Sequence, residues 1–306
     1  MGKVAFMFPG QGAQYIGMGK EFYENSEVAK EVYKTASEVT GLDIESICFE
    51  ENEKINITEY TQVAMLTTEV ALLKVLEEKG IKADVCAGLS LGEYGALVCS
   101  GVLTTKDAFY VVRNRGKFMQ EAYPTGGAMT AVLGGEKELI EQICEETEGI
   151  VSIANYNCPG QIVISGEKTA VDAAAAKLNE AGVKRCIPLN VSGPFHTKLL
   201  AGAGEKLGEV LADVEVQDIK MPYVSNTLAE YITDKDQVKA LLVRQVSESV
   251  RWEQSVRKML EDGVTTFVEI GPGKTLAGFM RKIDRSATVL NLDKWEDLDK
   301  VVSALA

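Results

Sequence analysis

Three times in this chain a short apolar run ends in a glycine-rich turn that leads on to a helix. "KVAFMF" precedes "PGQGAQYIGMG", "ADVCAG" precedes "LSLGEYG", and "TTFVEI" precedes "GPGKT". A buried strand that feeds a helix and is followed by another such strand builds a mostly parallel sheet covered on both faces. The pattern predicts strands over 3–8, 83–88, 265–270 and 287–292, and helices over about 20–39, 61–79, 91–99, 106–121 and 236–261, with a further helix ending near 283. Segment 61–79 repeats apolar residues at three and four, as a helix packed on a sheet requires.

The texture changes at the breaker "YPTGG". From there the pattern predicts strand 128–133, helix 136–147, strand 150–155, a turn at "NCPG", strand 161–165, helix 168–181 and strand 184–190. That order, β-α-β-β-α-β, is the ferredoxin-like unit. The chain then returns to the first sheet at "VSGPFHT". The expected organisation is a main domain over 1–122 and 194–306, with a smaller domain inserted over 123–193.

A chain of 306 residues buries a large core and needs no covalent staples. The six cysteines, Cys48, Cys86, Cys99, Cys144, Cys158 and Cys186, form no C-x-x-C pair and are expected to be free thiols. A net charge of −13 argues against nucleic acid as partner, because displacing phosphate counterions needs clustered Lys and Arg. The N-terminal run is broken by Pro9 and lacks the layout of a secretory signal, and no stretch approaches a membrane span, so a cytoplasmic address is expected. His196 is the only histidine, which excludes a metal site built from several imidazoles.

The motif "GLSLG" has the G-x-S-x-G spacing. Between a strand and a helix, that spacing makes a sharp elbow that pushes the Ser90 hydroxyl out and aims the next backbone N–H at it. A turn that merely satisfies backbone groups would use the same letters. A serine hydroxyl needs a base within hydrogen-bond reach, and His196, on an irregular Gly-Pro loop where the inserted domain rejoins the sheet, is the one imidazole available. No acid stands out as a third member. Many carboxylates, Asp172 among them, lie between Ser90 and His196, but most fall in the inserted domain; a backbone carbonyl could fix the ring tautomer instead. Two N–H groups must hold an oxyanion: that of Leu91 follows the nucleophile, and that of Gln11 in "PGQGAQ" fits the second place.

Helix "KDAFYVVRNRGKFMQEA" supplies a more specific clue. Arg115 falls inside the apolar stripe Ala108, Val111, Val112 and Met119, whereas Arg113 and Lys117 point elsewhere. A buried guanidinium must be paired, either with an acid of this protein or with a carboxylate or phosphate of a substrate.

Taken together, "FPGQGAQ", "GLSLGEY", "RGKFMQ", "VSGPFHT" and "EIGPGKTL", in this order, resemble the malonyl-CoA:acyl carrier protein transacylase family along essentially the whole chain. The resemblance implies an α/β-hydrolase-like large domain with an inserted ferredoxin-like domain and the active site between them. It implies Ser90 as the acylated nucleophile, His196 as general base and then acid, and the N–H groups of Gln11 and Leu91 as oxyanion hole. It further implies that Arg115 binds the malonyl carboxylate and that Gln245 orients the histidine ring through its carbonyl. Phe195 resembles the residue of malonyl-selective members, where a bulky ring excludes an α-methyl group. Leu89 departs from the family, which often has histidine there.

The implied reaction is ping-pong: Ser90 takes malonyl from malonyl-CoA, and the phosphopantetheine thiol of an acyl carrier protein removes it. No cofactor or metal of the enzyme's own is implied. An acidic carrier protein would need a local basic patch on so acidic a chain, and Lys184, Arg185, Arg281 and Lys282 are the candidates. A serine hydrolase or thioesterase built on the same elbow is the alternative activity, and a non-catalytic carrier-protein scaffold a third.

Overall fold

The computed structural model describes residues 2–191 and 193–305. Ser192, inside "VSGPFHT", and the end residues Met1 and Ala306 of the expected main domain lie outside the described residues. Ten strands occur among the described residues: β1 (Lys3–Phe8), β2 (Val85–Gly88), β3 (Gly127–Leu133), β4 (Val151–Cys158), β5 (Gln161–Glu167), β6 (Arg185–Pro188), β7 (Tyr223–Val224), β8 (Tyr231–Ile232), β9 (Val264–Ile270) and β10 (Thr288–Leu292).

The large sheet has the order β10-β9-β1-β2-β7-β8 and is parallel except for the edge strand β8. β1 lies at its centre, and its two faces feed two cores. Phe6 and Phe8 pack with Phe22, Leu66 and Leu73, whereas Ala5 and Met7 pack with Trp252, Phe267 and Met280. A strand covered on both faces reads as an unbroken apolar run, which is why "VAFMF" shows no alternation. The carboxyl ends of β1, β2 and β9 bring the three glycine turns to one edge, where open parallel sheets bind ligands.

The small sheet, order β4-β5-β3-β6, is wholly antiparallel, and its strands lie between residues 127 and 188. Helices Lys137–Glu145 and Lys168–Glu180 pack on it around Val132, Ile140, Ile164, Val171 and Leu178. The architecture is therefore α/β with a mostly parallel large sheet and a separate ferredoxin-like layer, as the order of runs predicts. No helix among the described residues is long and apolar enough to cross a membrane. All six cysteines are free.

Several expected elements differ. The 236–261 helix is two, Val238–Gln245 and Trp252–Glu261. Between them the chain leaves the helical path to pair with β4: Val250 N–H donates to Ala154 O at 2.8 Å and Tyr156 N–H to Val250 O at 2.9 Å. Pairing with the edge of the small sheet outweighs helical periodicity here. The 20–39 helix divides at Ser26, which is extended and caps Glu27–Thr40 by accepting from Ala29 N–H. The "NCPG" turn shrinks to Pro159–Gly160 because Asn157 and Cys158 continue β4, and the last small-domain strand stops at Pro188.

The helix over 61–79 runs Thr58–Glu78 and is buried on every side from Thr61 to Leu73, so it is a core helix and not one laid on a sheet by a single face. Each fully buried Leu along it, such as Leu66 or Leu73, contributes about 1.5–3 kcal/mol by leaving water. Helix Ile44–Phe49 and the two-residue strands β7 and β8 are too short to show a period, and helices Ala201–Ala212 and Asp297–Leu305 lie outside the expected elements.

Candidate active site

The elbow between β2 and helix Gly92–Cys99 is built by glycines on both sides of the serine. A Cβ on Gly88 would run into the backbone of Gly92, and one on Gly92 into the carbonyl of Phe8 at the end of β1. Strand, turn and helix can approach this closely only with hydrogen at both positions, which is the physical content of the G-x-S-x-G spacing. Ser90 itself sits at φ 54°, and His196 at φ 59°; both are left-handed conformations that cost a non-glycine residue free energy.

Asn226, on the loop after β7, clamps the elbow. Its Oδ1 accepts from Ser90 N–H at 2.6 Å and its Nδ2 donates to Gly88 O at 2.6 Å. The side chain thereby satisfies the two backbone groups that the turn withdraws from the sheet.

His196 is buried, with Nε2 2.7 Å from Ser90 Oγ. Its Nδ1 lies 2.8 Å from the carbonyl of Gln245 and 3.2 Å from that of Glu248. Carbonyls only accept, so Nδ1 carries the proton and Nε2 presents its lone pair to the serine. Both carbonyls are available because the helix ends at Gln245. The orienting carboxylate that sequence reasoning could not find is replaced by backbone. Burial, reinforced by the positive charge of Arg115, pushes the ring down to about 4 against the opposing pull of the two carbonyls, so it is neutral at pH 7.

Arg115 is 1% exposed and lies in the stripe with Ala108, Val111, Val112 and Met119. Nη1 donates to Gln62 Oε1 at 2.7 Å; Nη2 donates to Gln245 Oε1 at 2.9 Å and reaches Ser90 Oγ at 3.3 Å. The guanidinium also faces the Tyr94 ring, 5.5 Å from its centroid. No carboxylate ion-pairs with it among the described residues, and Nε has no acceptor. Its partners are thus neutral amides, and the internal ion pair weighed from sequence is absent among the described residues. Arg113 instead meets Glu59 at 3.7 Å, and Lys117 meets Glu121 at 3.8 Å.

Ser90, His196, Arg115, Gln11, Leu91, Leu89 and Phe195 line one cavity of about 460 Å³ between the two sheets, with Asn155, Asn157 and Gln161 on its small-domain wall. Neither the Gln11 nor the Leu91 backbone N–H donates to the protein among the described residues. Phe195 is buried at the cavity wall, its ring against Gly193. A wider hollow of about 600 Å³, between Gly134–Lys137 and helix Trp252–Glu261, holds no serine or histidine, and burial pushes its one thiol, Cys158, up to about 11. Ser90, His196 and Arg115 line the first cavity together.

Lys184, Arg185, Arg281 and Lys282 are exposed and lie outside the cavity lining. The register row Cys158–Gln161–Leu133–Arg185 crosses the small sheet, and Lys282 Nζ is 3.4 Å from Gln161 Oε1, so Arg185 and Lys282 share the end of the sheet at which Gln161 enters the cavity. None of the four is ion-paired among the described residues. Sequence reasoning missed Gln62, Glu93 and Asn226. A polar residue in each otherwise apolar helix, "TQVAML" and "GEYGALVC", was the available signal for the first two; Asn226 lies on a loop and had none.

The model of the acyl transferase domain matches residues 5–293. Malonyl CoA-acyl carrier protein transacylase of Bacillus subtilis (strain 168) is 46% identical, over 100% of this chain and 98% of its own length. Among solved structures, MCAT from Streptococcus pneumoniae superposes with a TM-score of 0.95 at 48% identity, covering 99% of this chain and 100% of that one. A malonyl-transacylase solved in complex with its type II PKS acyl-carrier protein gives 0.96 at 39% identity, covering 99% of each chain. The chain therefore belongs to the acyl transferase domain family, among its malonyl CoA-acyl carrier protein transacylases.

Proposed function

We propose that this enzyme moves malonyl from malonyl-CoA to the phosphopantetheine thiol of an acyl carrier protein through a malonyl-Ser90 intermediate. The observation that carries this reading is a buried guanidinium, free of any carboxylate partner among the described residues, 3.3 Å from the oxygen that His196 can activate. A cation held next to a nucleophile by neutral amides is a receptor for an acyl group with its own carboxylate.

His196 Nε2 takes the Ser90 proton as Oγ attacks the thioester carbonyl, and the N–H groups of Gln11 and Leu91 receive the oxyanion. The imidazolium then protonates the departing CoA sulfur. In the second half the same ring accepts the proton of the carrier thiol as the sulfur attacks the ester carbonyl, and returns it to Ser90 Oγ as the tetrahedral centre collapses. Gln245 orients the ring through its carbonyl, and Phe195 restricts the space beside the acyl group. Arg115 holds the malonyl carboxylate so that the ester waits for a thiol in a partly closed cavity. On this reading residues 1–122 and 194–306 supply the reacting groups, and the 123–193 insertion supplies the polar wall of Asn155, Asn157 and Gln161, suited to an amide-bearing pantetheine arm. The enzyme needs no metal or cofactor of its own.

Intact mass after brief mixing with malonyl-CoA tests the reading. The expected result is one malonyl adduct, mapped to the Ser90 peptide and discharged by a thiol carrier faster than by water. An adduct lost to water first would make the enzyme a hydrolase, and no adduct with any acyl-CoA would leave a scaffold.

The carrier protein is proposed to dock on Lys184, Arg185, Arg281 and Lys282. Converting all four to Gln is expected to raise the carrier-protein KM about tenfold at low salt, with the difference shrinking as salt screens the charges. A KM that does not move at low ionic strength would remove the patch from the proposal.

A further inference from the structure

Glu93, the second residue of the elbow helix, is 1% exposed and takes no direct part in the chemistry above. Its Oε2 accepts from Gln245 Nε2 at 2.7 Å, and its Oε1 accepts from Asn226 N–H at 3.4 Å. The same Gln245 Nε2 donates to Ser90 O at 2.7 Å, while Gln245 Oε1 accepts from Arg115 Nη2 at 2.9 Å. One amide thus joins the nucleophile, the arginine and a buried acid.

The two ends of that amide are not interchangeable. A carboxylate and a carbonyl only accept, and a guanidinium only donates. With the amide turned over, Gln245 Oε1 would face the Ser90 carbonyl and Nε2 would face Arg115, two repulsive contacts whatever the charge of Glu93, and an ionised Glu93 would add a third. We propose that Glu93 is a positioning residue that fixes the polarity of the Gln245 amide and so holds the Arg115 guanidinium ready for the malonyl carboxylate. In its ionised form Glu93 is also a spaced counter-ion, although burial pushes its carboxyl up to about 7 against the charge of Arg115 and the hydrogen bonds of Gln245 and Asn226. It lies close enough to offset part of the cost of burying the guanidinium, yet an amide away from the donors that the substrate needs. An acid in direct contact would occupy them.

This inference rests on the malonyl-transfer reading and deepens it. Ser90 acylation rates from malonyl-CoA and acetyl-CoA are compared in wild type, E93A and E93Q by rapid-quench mass measurement. The expected result is that E93A lowers the malonyl-to-acetyl ratio about tenfold or more, because acetyl makes no use of the guanidinium. Gln at 93 keeps an acceptor for Gln245 Nε2, so E93Q is expected to restore the ratio to within about threefold of wild type. A ratio is insensitive to the folded fraction, which scales both rates together. An unchanged ratio in E93A, or an E93Q ratio as low as that of E93A, overturns the proposal. Wild type refusing malonyl-CoA altogether would instead defeat the transferase reading, so the two failures are distinguishable.

Discussion

Replacing His196 with Ala is expected to slow acylation of Ser90 by malonyl-CoA roughly 10⁴-fold, the loss typical when a nucleophile loses its only base. Among the described residues no other side chain near Ser90 Oγ can accept its proton: Arg115 donates to that oxygen, and Glu93 reaches only the backbone side of the elbow through Gln245. The rate at which the malonyl-enzyme mass appears measures the effect directly. A fall of less than about tenfold would show that the serine is activated by another route.

The pH dependence follows from the same environment, with its sign set by burial. The active form of the base is the neutral ring, and burial together with Arg115 holds the ring down to about 4. Acylation should therefore be flat with respect to this group at neutral pH and fall only as pH drops through about 4, well below the usual inflection of a histidine near 6.5. Because burial pushes Glu93 up to about 7, only an acid limb near 6.5 that persists in E93Q would mean that the free enzyme hydrates the ring far more than its 4% exposure implies.

Arg115→Ala is expected to lower malonyl transfer roughly 10³-fold while acetyl transfer falls little or rises. The substrate carboxylate would be left in the cavity without its cation, a loss of about 3–5 kcal/mol. Gln62 and Gln245 would each lose a donor, but acetyl brings no charge that needs one. A second signature is independent of substrate charge. Because Arg115 pushes His196 down, its removal should move the acid limb of acetyl transfer to higher pH. Equal losses for malonyl and acetyl, with an unmoved pH profile, would reduce Arg115 to a structural role.

Much of this site could be read from one-dimensional patterns because its parts are local. The elbow needs glycine at 88 for a steric reason that acts within five residues, against Gly92, whereas glycine at 92 answers the Phe8 carbonyl that β1 brings against it. The insertion shows as a change of period, and Arg115 shows as a charge in an apolar stripe. The groups that orient these residues are not local. Asn226 comes to Ser90 from 136 residues away, on a loop after a two-residue strand too short for any periodic signal. Glu93 is visible in the sequence, but its link to Arg115 exists only because Gln245 is carried in from another helix.

The amino-acid sequence by itself determined the parallel sheet, the inserted β-α-β-β-α-β layer, the elbow serine and the only available imidazole, since each depends on residue type and spacing along the chain. The break in the 238–261 segment was decided by tertiary structure alone. Periodicity favours one continuous helix there, but pairing of Val250 with the edge of β4 ends the first helix at Gln245 and releases the carbonyls that set the tautomer of His196. The free energy that makes this break favourable lies in contacts of this segment with β4, almost a hundred residues earlier in the chain, which no local window of sequence contains.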